Sequence, residues 1–238
     1  MKLINAVTIF RKDWNQATEW HCSKLTNRIK KKRVNLFVEK LRLGKNDIVL
    51  DLGSEDGSTL AMYYPYPKNI ILADIEEGTM RDGVARYGLK GYEVIPKSGG
   101  LPFKNHCFDA VWCNSVIEHV IGDWKIAKGK EAEFKINAYT FQSMFANEIE
   151  RISKKYFIQT PYAYFPIESH SWLPFVHYLT HIQRLRLSSI IKKIWIKQWN
   201  AGFVLYDIDR FKKDFKFATE ILFEKVFWYI KALIAIRK

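Results

Sequence analysis

The stretch Ile48-Val49-Leu50-Asp51-Leu52-Gly53-Ser54-Glu55-Asp56-Gly57 decides how this chain folds. An apolar, β-branched run ends in an acid, turns on two glycines and continues into Ser58-Thr59. That order predicts a buried strand, a tight turn and the opening of a helix. Such turns receive nucleotides, because glycine lets a ligand approach the backbone and helix-end N–H groups point outward. A dinucleotide fingerprint needs a glycine where this chain has Glu55, so that a pyrophosphate can rest on the turn. Asp51, Glu55 and Asp56 would repel that group. A ligand with an adenosine moiety, no phosphate and a cationic centre meets no such repulsion. An ordinary strand–helix turn without a ligand is the alternative that the stretch alone leaves open.

Upstream, residues 18–43 read as a helix, with Leu25, Ile29, Leu36, Phe37 and Leu41 near helical spacing and Gly44 as its C-cap. The basic run Lys30-Lys31-Lys32-Arg33 reads as a water-facing surface, with an anion-binding patch as the alternative. Downstream, Asn69 to Ile75 is a second buried strand ending in Asp74. An acid there accepts ribose hydroxyls in nucleotide-binding sheets; capping the helix near residues 79–87 is the competing role. Tyr92–Ile95 and Phe108–Cys113 are further strands. Strands alternating with helices, without a series of hairpins, require a parallel sheet with crossover helices.

The glycine stretch resembles the Asp-Leu-Gly-Cys-Gly-x-Gly motif of class I S-adenosylmethionine-dependent methyltransferases, departing from it at Glu55. Leu101-Pro102-Phe103, Phe108-Asp109-Ala110-Val111 and Glu118-His119-Val120 follow in the order and spacing of the subclass that acts largely on small molecules and glycans. The resemblance implies a Rossmann-like α/β fold. Its sheet would have seven mostly parallel strands, helices on both faces and an antiparallel C-terminal hairpin. It implies S-adenosyl-L-methionine as cofactor, with Asp51, Gly53, Ser54, Glu55 and Gly57 on its methionine and ribose side. Asp74 and Ile75 would hold ribose and adenine, Leu101 would pack near adenine, and Asn114, Ser115 and Val116 would lie beneath. The family usually reads the adenine amino group with an Asp shortly before Leu-Pro-Phe. Lys97 stands at that place, and lysine has no acceptor, which leaves the task to Ser98 or a backbone carbonyl. A cofactor-binding protein without turnover is therefore one alternative.

The resemblance makes residues 45–238 the methyltransferase domain, with residues 1–44 a helical segment packed on it and an acceptor-site cap at about 161–205. Residues 122–135 read as a polar surface loop. An amphipathic helix over 136–154, with Tyr139, Phe145, Ile149 and Ile152 inward, leads to a fifth strand ending at Pro161. Ligands lie beyond the carboxyl ends of such strands, so the aromatic, histidine-rich segment after it should wall the acceptor pocket. Tyr162, Phe165, Glu168, His170 and His177 are the candidates for substrate contact. The segment resembles Phe-Pro-x-Glu-x-His…Leu-Pro-Phe-x-His of bacterial methyltransferases encoded with glycan-assembly enzymes. Aromatic faces stack on sugars, and His170 is the candidate base for a hydroxyl acceptor. A packed cap in which Glu168 and His170 pair is the alternative. No recognised zinc spacing joins Glu168, His170, His177 and His181, so no metal is expected. Residues 185–199 form a helix with tryptophans and isoleucines beside lysines; it either lies on a membrane or caps the acceptor site. A helix near 210–217, capped by Asp207 or Asp209, and two closing strands complete the chain.

The 238 residues are 48% hydrophobic, enough for a large core, and the net charge of +13 calls for an anionic partner. Nucleic acid, a lipid headgroup surface and an acidic glycan or nucleotide-linked substrate all qualify. Three scattered cysteines give no disulfide framework and no zinc pair. With no signal-like start and no span-length apolar run, the expected compartment is the cytoplasm, with contact at the inner membrane face as an alternative. Asn114-Ser115-Val116-Ile117 is not the Asn/Asp-Pro-Pro-Tyr/Phe of amino-methylating nucleic-acid enzymes, which disfavours nucleic acid. The leading expectation is O- or N-methylation of a small-molecule or glycan acceptor, anionic or lipid-linked. A basic RNA-modifying enzyme is the second.

Overall fold

Seven strands form one sheet in the order β3-β2-β1-β4-β5-β7-β6. The computed structural model describes residues 26–53, 55–97, 100–122, 131–169, 171–191 and 202–238. The strands are β1 (Val49–Leu52), β2 (Ile70–Asp74), β3 (Gly91–Val94), β4 (Phe108–Asn114), β5 (Ser153–Pro161), β6 (Glu220–Val226) and β7 (Tyr229–Arg237). The first five run parallel; β7 is antiparallel to both β5 and β6. Chain order reverses between β1 and β4, which sets the switch point where ligands of such sheets bind.

The inner strands read as continuous apolar runs because both of their faces are covered. Leu50, Leu52, Val111, Cys113 and Ile158 pack with α4 (Glu131–Ile152) and α6 (Ile208–Asp214) through Ala146, Ile149 and Phe211. Alternate residues Val49, Leu72, Ala110, Trp112 and Phe157 face α1 (26–41), α2 (Ser58–Ala61) and α3 (Glu77–Tyr87). There Phe37 meets Trp112 edge-on at 5.2 Å, and Trp112 stacks on Phe157 at 5.0 Å.

Some boundaries differ from expectation. Helix α1 closes on Arg42, at φ 49, whose N–H donates to the Val38 carbonyl; Gly44 lies beyond it and is held by Asp47. Helix α4 begins at Glu131, inside the segment expected to be loop; residues 123–130 lie outside the described residues. Its inward stripe is Phe134, Ala138, Gln142, Ala146 and Ile149, so Tyr139 faces outward, with the Arg210 guanidinium 4.1 Å over its ring. Asp207 caps α6 by accepting from the Arg210 N–H at 2.8 Å. No helix among the described residues is long and apolar enough to cross a membrane.

Candidate functional site

The turn after β1 is held by its own packing. Gly53 (φ 76) and Gly57 (φ 67) are left-handed, where a side chain is strained. A Cβ on Gly53 would come within 2.4 Å of Val116, and one on Gly57 within 2.5 Å of Leu72. A third glycine, Gly83, lets α3 close on the Asp56 carbonyl, which would lie 2.1 Å from a Cβ; its only local signature is a glycine inside a helix. Asp74 is a clamp: Oδ2 accepts from the Glu55 N–H at 3.0 Å and Oδ1 from the Ile75 N–H at 2.6 Å. The carboxylate thus fixes the turn to the tip of β2. Glu76, not Asp74, stands at the N-cap of α3.

Asp51 is 1% exposed at the tip of β1. Burial, with the charges of Glu118 and Asp51, pushes the Cys113 thiol well above its usual range, so it is no nucleophile. Glu55, Glu76, Glu77 and Ile75 are exposed, Asp56 and Asp74 half-buried. Arg86, 3.6 Å from Asp56, is a cation paired at this turn. In a chain of net charge +13, this end is locally acidic.

The Leu101-Pro102-Phe103 loop is fastened from α4. Glu148 accepts from the Leu101 N–H at 2.6 Å, while Arg151 donates to the carbonyls of Leu101 (3.0 Å) and Phe103 (2.7 Å). The Arg151 hydrogen bond holds the Glu148 carboxyl below the usual range. Leu101 is buried and Lys97 exposed; Ser54 and Ser98 lie outside the described residues.

At the end of β4, Asn114 and Ser115 belong to a polar network centred on Arg33. One Arg33 nitrogen donates to Asn114 Oδ1 (3.0 Å) and Gln159 Oε1 (2.8 Å); the others donate to Glu224 at 2.7 and 2.9 Å. Ser115 Oγ donates to Gln159 Oε1 at 2.8 Å. Arg33 therefore does not face water with its lysine neighbours: its side chain is 11% exposed. Burial alone would raise the Glu224 carboxyl, but Arg33, Lys231 and Lys32 together hold it low. Val116 covers Gly53, and the Glu118 carboxylate accepts from the Thr160 hydroxyl at 3.0 Å.

The described acceptor candidates occupy different surroundings. A cavity of about 720 Å³ lies between Tyr162, Tyr164, Tyr139, Asp207, Asp209 and Arg210. Of the predicted contacts, Tyr162 lines it. Glu168 is turned inward and accepts from the Ser171 N–H at 2.6 Å, closing the 168–173 turn rather than facing an acceptor. Phe165 and His177 are half-buried, and the His177 ring packs on Tyr178 at 4.3 Å. Burial pushes His177 below its ordinary pKa, so it is neutral near pH 7. His170 lies outside the described residues, as do residues 192–199 of the expected tryptophan–lysine helix. The described part, α5 (His181–Ile191), buries His181 and Arg184 and exposes Ile182, Leu185 and Ile190. No group of side chains suited to a metal ion occurs among the described residues.

Residues 50–129 match a family model described as a methyltransferase domain. No curated protein sequence matches the chain. Among solved structures, the fold is similar to an S-adenosylmethionine-dependent methyltransferase from Clostridium acetobutylicum (10% identity, TM-score 0.52, covering 95% of this chain and 97% of that one). It is also similar to a chain of the Haloferax volcanii complex between the Trm112 methyltransferase activator and a methyltransferase (12%, 0.53, 94% and 92%). A Pyrococcus horikoshii protein matches at 14% identity, TM-score 0.50 and 85% of each chain. Residues 50–129 thus match a methyltransferase domain, within a fold shared with S-adenosylmethionine-dependent methyltransferases, whose cofactor is S-adenosyl-L-methionine.

Proposed function

We propose that the chain transfers a methyl group to an oxygen or nitrogen of a small-molecule or glycan acceptor. The observation that carries this reading is the pair of acids at the tips of β1 and β2, Asp51 and Asp74, on either side of a left-handed glycine turn. Phosphate would be repelled there, whereas a sulfonium and ribose hydroxyls are suited to it. When bound, S-adenosyl-L-methionine supplies an already activated methyl group. The residues then have to position, desolvate and take up a proton. Asp74 accepts ribose hydroxyls, Asp51 and Glu55 offset the positive charge, and Leu101, held by Glu148 and Arg151, packs at adenine. Ser54 and Ser98 keep their sequence-based assignments. Tyr162 and its aromatic neighbours hold the acceptor, and His170 takes the proton of a hydroxyl.

Thermal unfolding with S-adenosylmethionine and with its demethylated product tests the reading. A ligand at a hundred times its Kd stabilises the native state by about 2.7 kcal/mol. Both ligands should raise Tm; no shift with either would overturn the assignment. His170→Ala should slow turnover and leave the cofactor-induced shift intact. Loss of that shift would make His170 structural.

A further inference from the structure

Several features that the donor site does not use meet at one corner of the molecule. The β6–β7 hairpin turns at Phe227-Trp228 and leaves Phe227 85%, Trp228 80% and Tyr229 52% exposed. The two ring centroids of Phe227 and Trp228 lie 6.0 Å apart, and Val226 beside them is exposed as well. Contiguous large apolar side chains in water mark a surface that meets something. The Tyr162 N–H donates to the Lys231 carbonyl, so the tip stands at the carboxyl end of β5, where the acceptor segment begins.

Basic residues flank this tip. Ion pairs Lys40–Glu220 and Arg33–Glu224, both at 2.7 Å, fix α1 antiparallel along β6. With rises of about 1.5 Å per helical residue and about 3.3 Å per strand residue, residues 26–29 come level with Val226 and Phe227, and Lys30 and Lys31 with Lys225. Arg28, Lys31 and Lys32 are exposed there and Lys30 half-exposed, with Lys225 exposed on the hairpin itself. The nearby carboxylate, Glu224, is engaged by Arg33.

We propose that this corner docks on an anionic lipid bilayer surface. Phe227 and Trp228 enter the headgroup layer, and the cations of α1 and Lys225 lie over the lipid phosphates. A projecting pair of aromatics ringed by lysine and arginine has the chemistry of an interfacial anchor. Single-stranded nucleic acid needs a basic groove whose walls stack bases, and a convex hairpin turn provides none. The orientation brings the acceptor segment to the membrane, so a lipid-linked acceptor would reach it without leaving the bilayer. The surface uses no residue of the 185–199 segment and does not depend on methyl transfer.

Flotation of the full chain with phosphatidylcholine vesicles, with and without phosphatidylglycerol, tests it. Binding is expected on the anionic vesicles, reduced by salt and weak on the neutral ones. Phe227→Ser/Trp228→Ser and Lys31→Glu/Lys32→Glu should each weaken it about tenfold or more, with Tm and the cofactor-induced shift unchanged. The proposal is overturned by no flotation of the native chain, or by equal flotation of the Phe227→Ser/Trp228→Ser variant. RNA that displaces the chain from vesicles and binds the native protein but not the hairpin variant would overturn it too. So would a native dimer that the hairpin substitutions dissolve.

Discussion

The two ends of the sheet order carry opposite charge. Around β1 and β2 the chain gathers Asp51, Glu55, Asp56, Asp74, Glu76 and Glu77. Around β6 and α1 it gathers Arg28, Lys30, Lys31, Lys32, Arg33, Lys225 and Lys231. A net charge of +13 conceals this separation. The acidic end suits a cationic donor and repels phosphates; the basic end attracts anions. Arg33 ties the basic region to the middle of the sheet, since its guanidinium holds Asn114 at the end of β4 and Glu224 on β6 together. The division teaches that overall charge need not describe the local charge of a site.

The largest break should come from Gly53→Val. The new side chain would meet Val116 in a backbone of positive φ, costing about 3 kcal/mol or more. Chemical denaturation should show that loss, and calorimetry should show no binding of S-adenosylmethionine. Arg33→Met breaks the link between β4 and β6 and leaves Glu224 with Lys231, at 3.8 Å, as its ion-pair partner. Removing one partner of a largely buried pair costs about 3 kcal/mol. The denaturation midpoint should fall, and the slope should not change.

The smallest effect concerns pH. Burial lowers the folded-state pKa of His177, so the unfolded chain binds the proton more readily. Its contribution is complete above the unfolded value near 6.5 and is lost as pH falls below it. Glu148, Glu220 and Glu224, held low in the fold, destabilise only below the ordinary carboxylate range. Tm should therefore drop between about pH 7.5 and pH 5.5, and His177→Gln should flatten that step.

The sheet was legible because strands buried on both faces carry apolar runs, as Ile48–Leu50 and Ile70–Ala73 do ahead of their acids. Asp74 was legible by position, at the end of the second such run. Arg33 was not, because a run of four basic residues resembles a solvated face. Its helical phase carried the signal: Arg33, Phe37 and Lys40 stand at i, i+4 and i+7, and Phe37 is buried. Tyr139 misled for the converse reason. Small Ala138 and Ala146 and polar Gln142 line the buried stripe, and hydrophobicity undervalues them. The Arg151 clamp on Leu101 joins residues 50 apart and has no local signature.

Titration of S-adenosylmethionine into the native chain and into Asp74→Ala tests the central claim most directly. The account predicts saturable binding by the native chain and at least about tenfold weaker binding by the variant, a loss of roughly 1.4 kcal/mol or more. Equal affinity in the two, or no binding by the native chain, would contradict it.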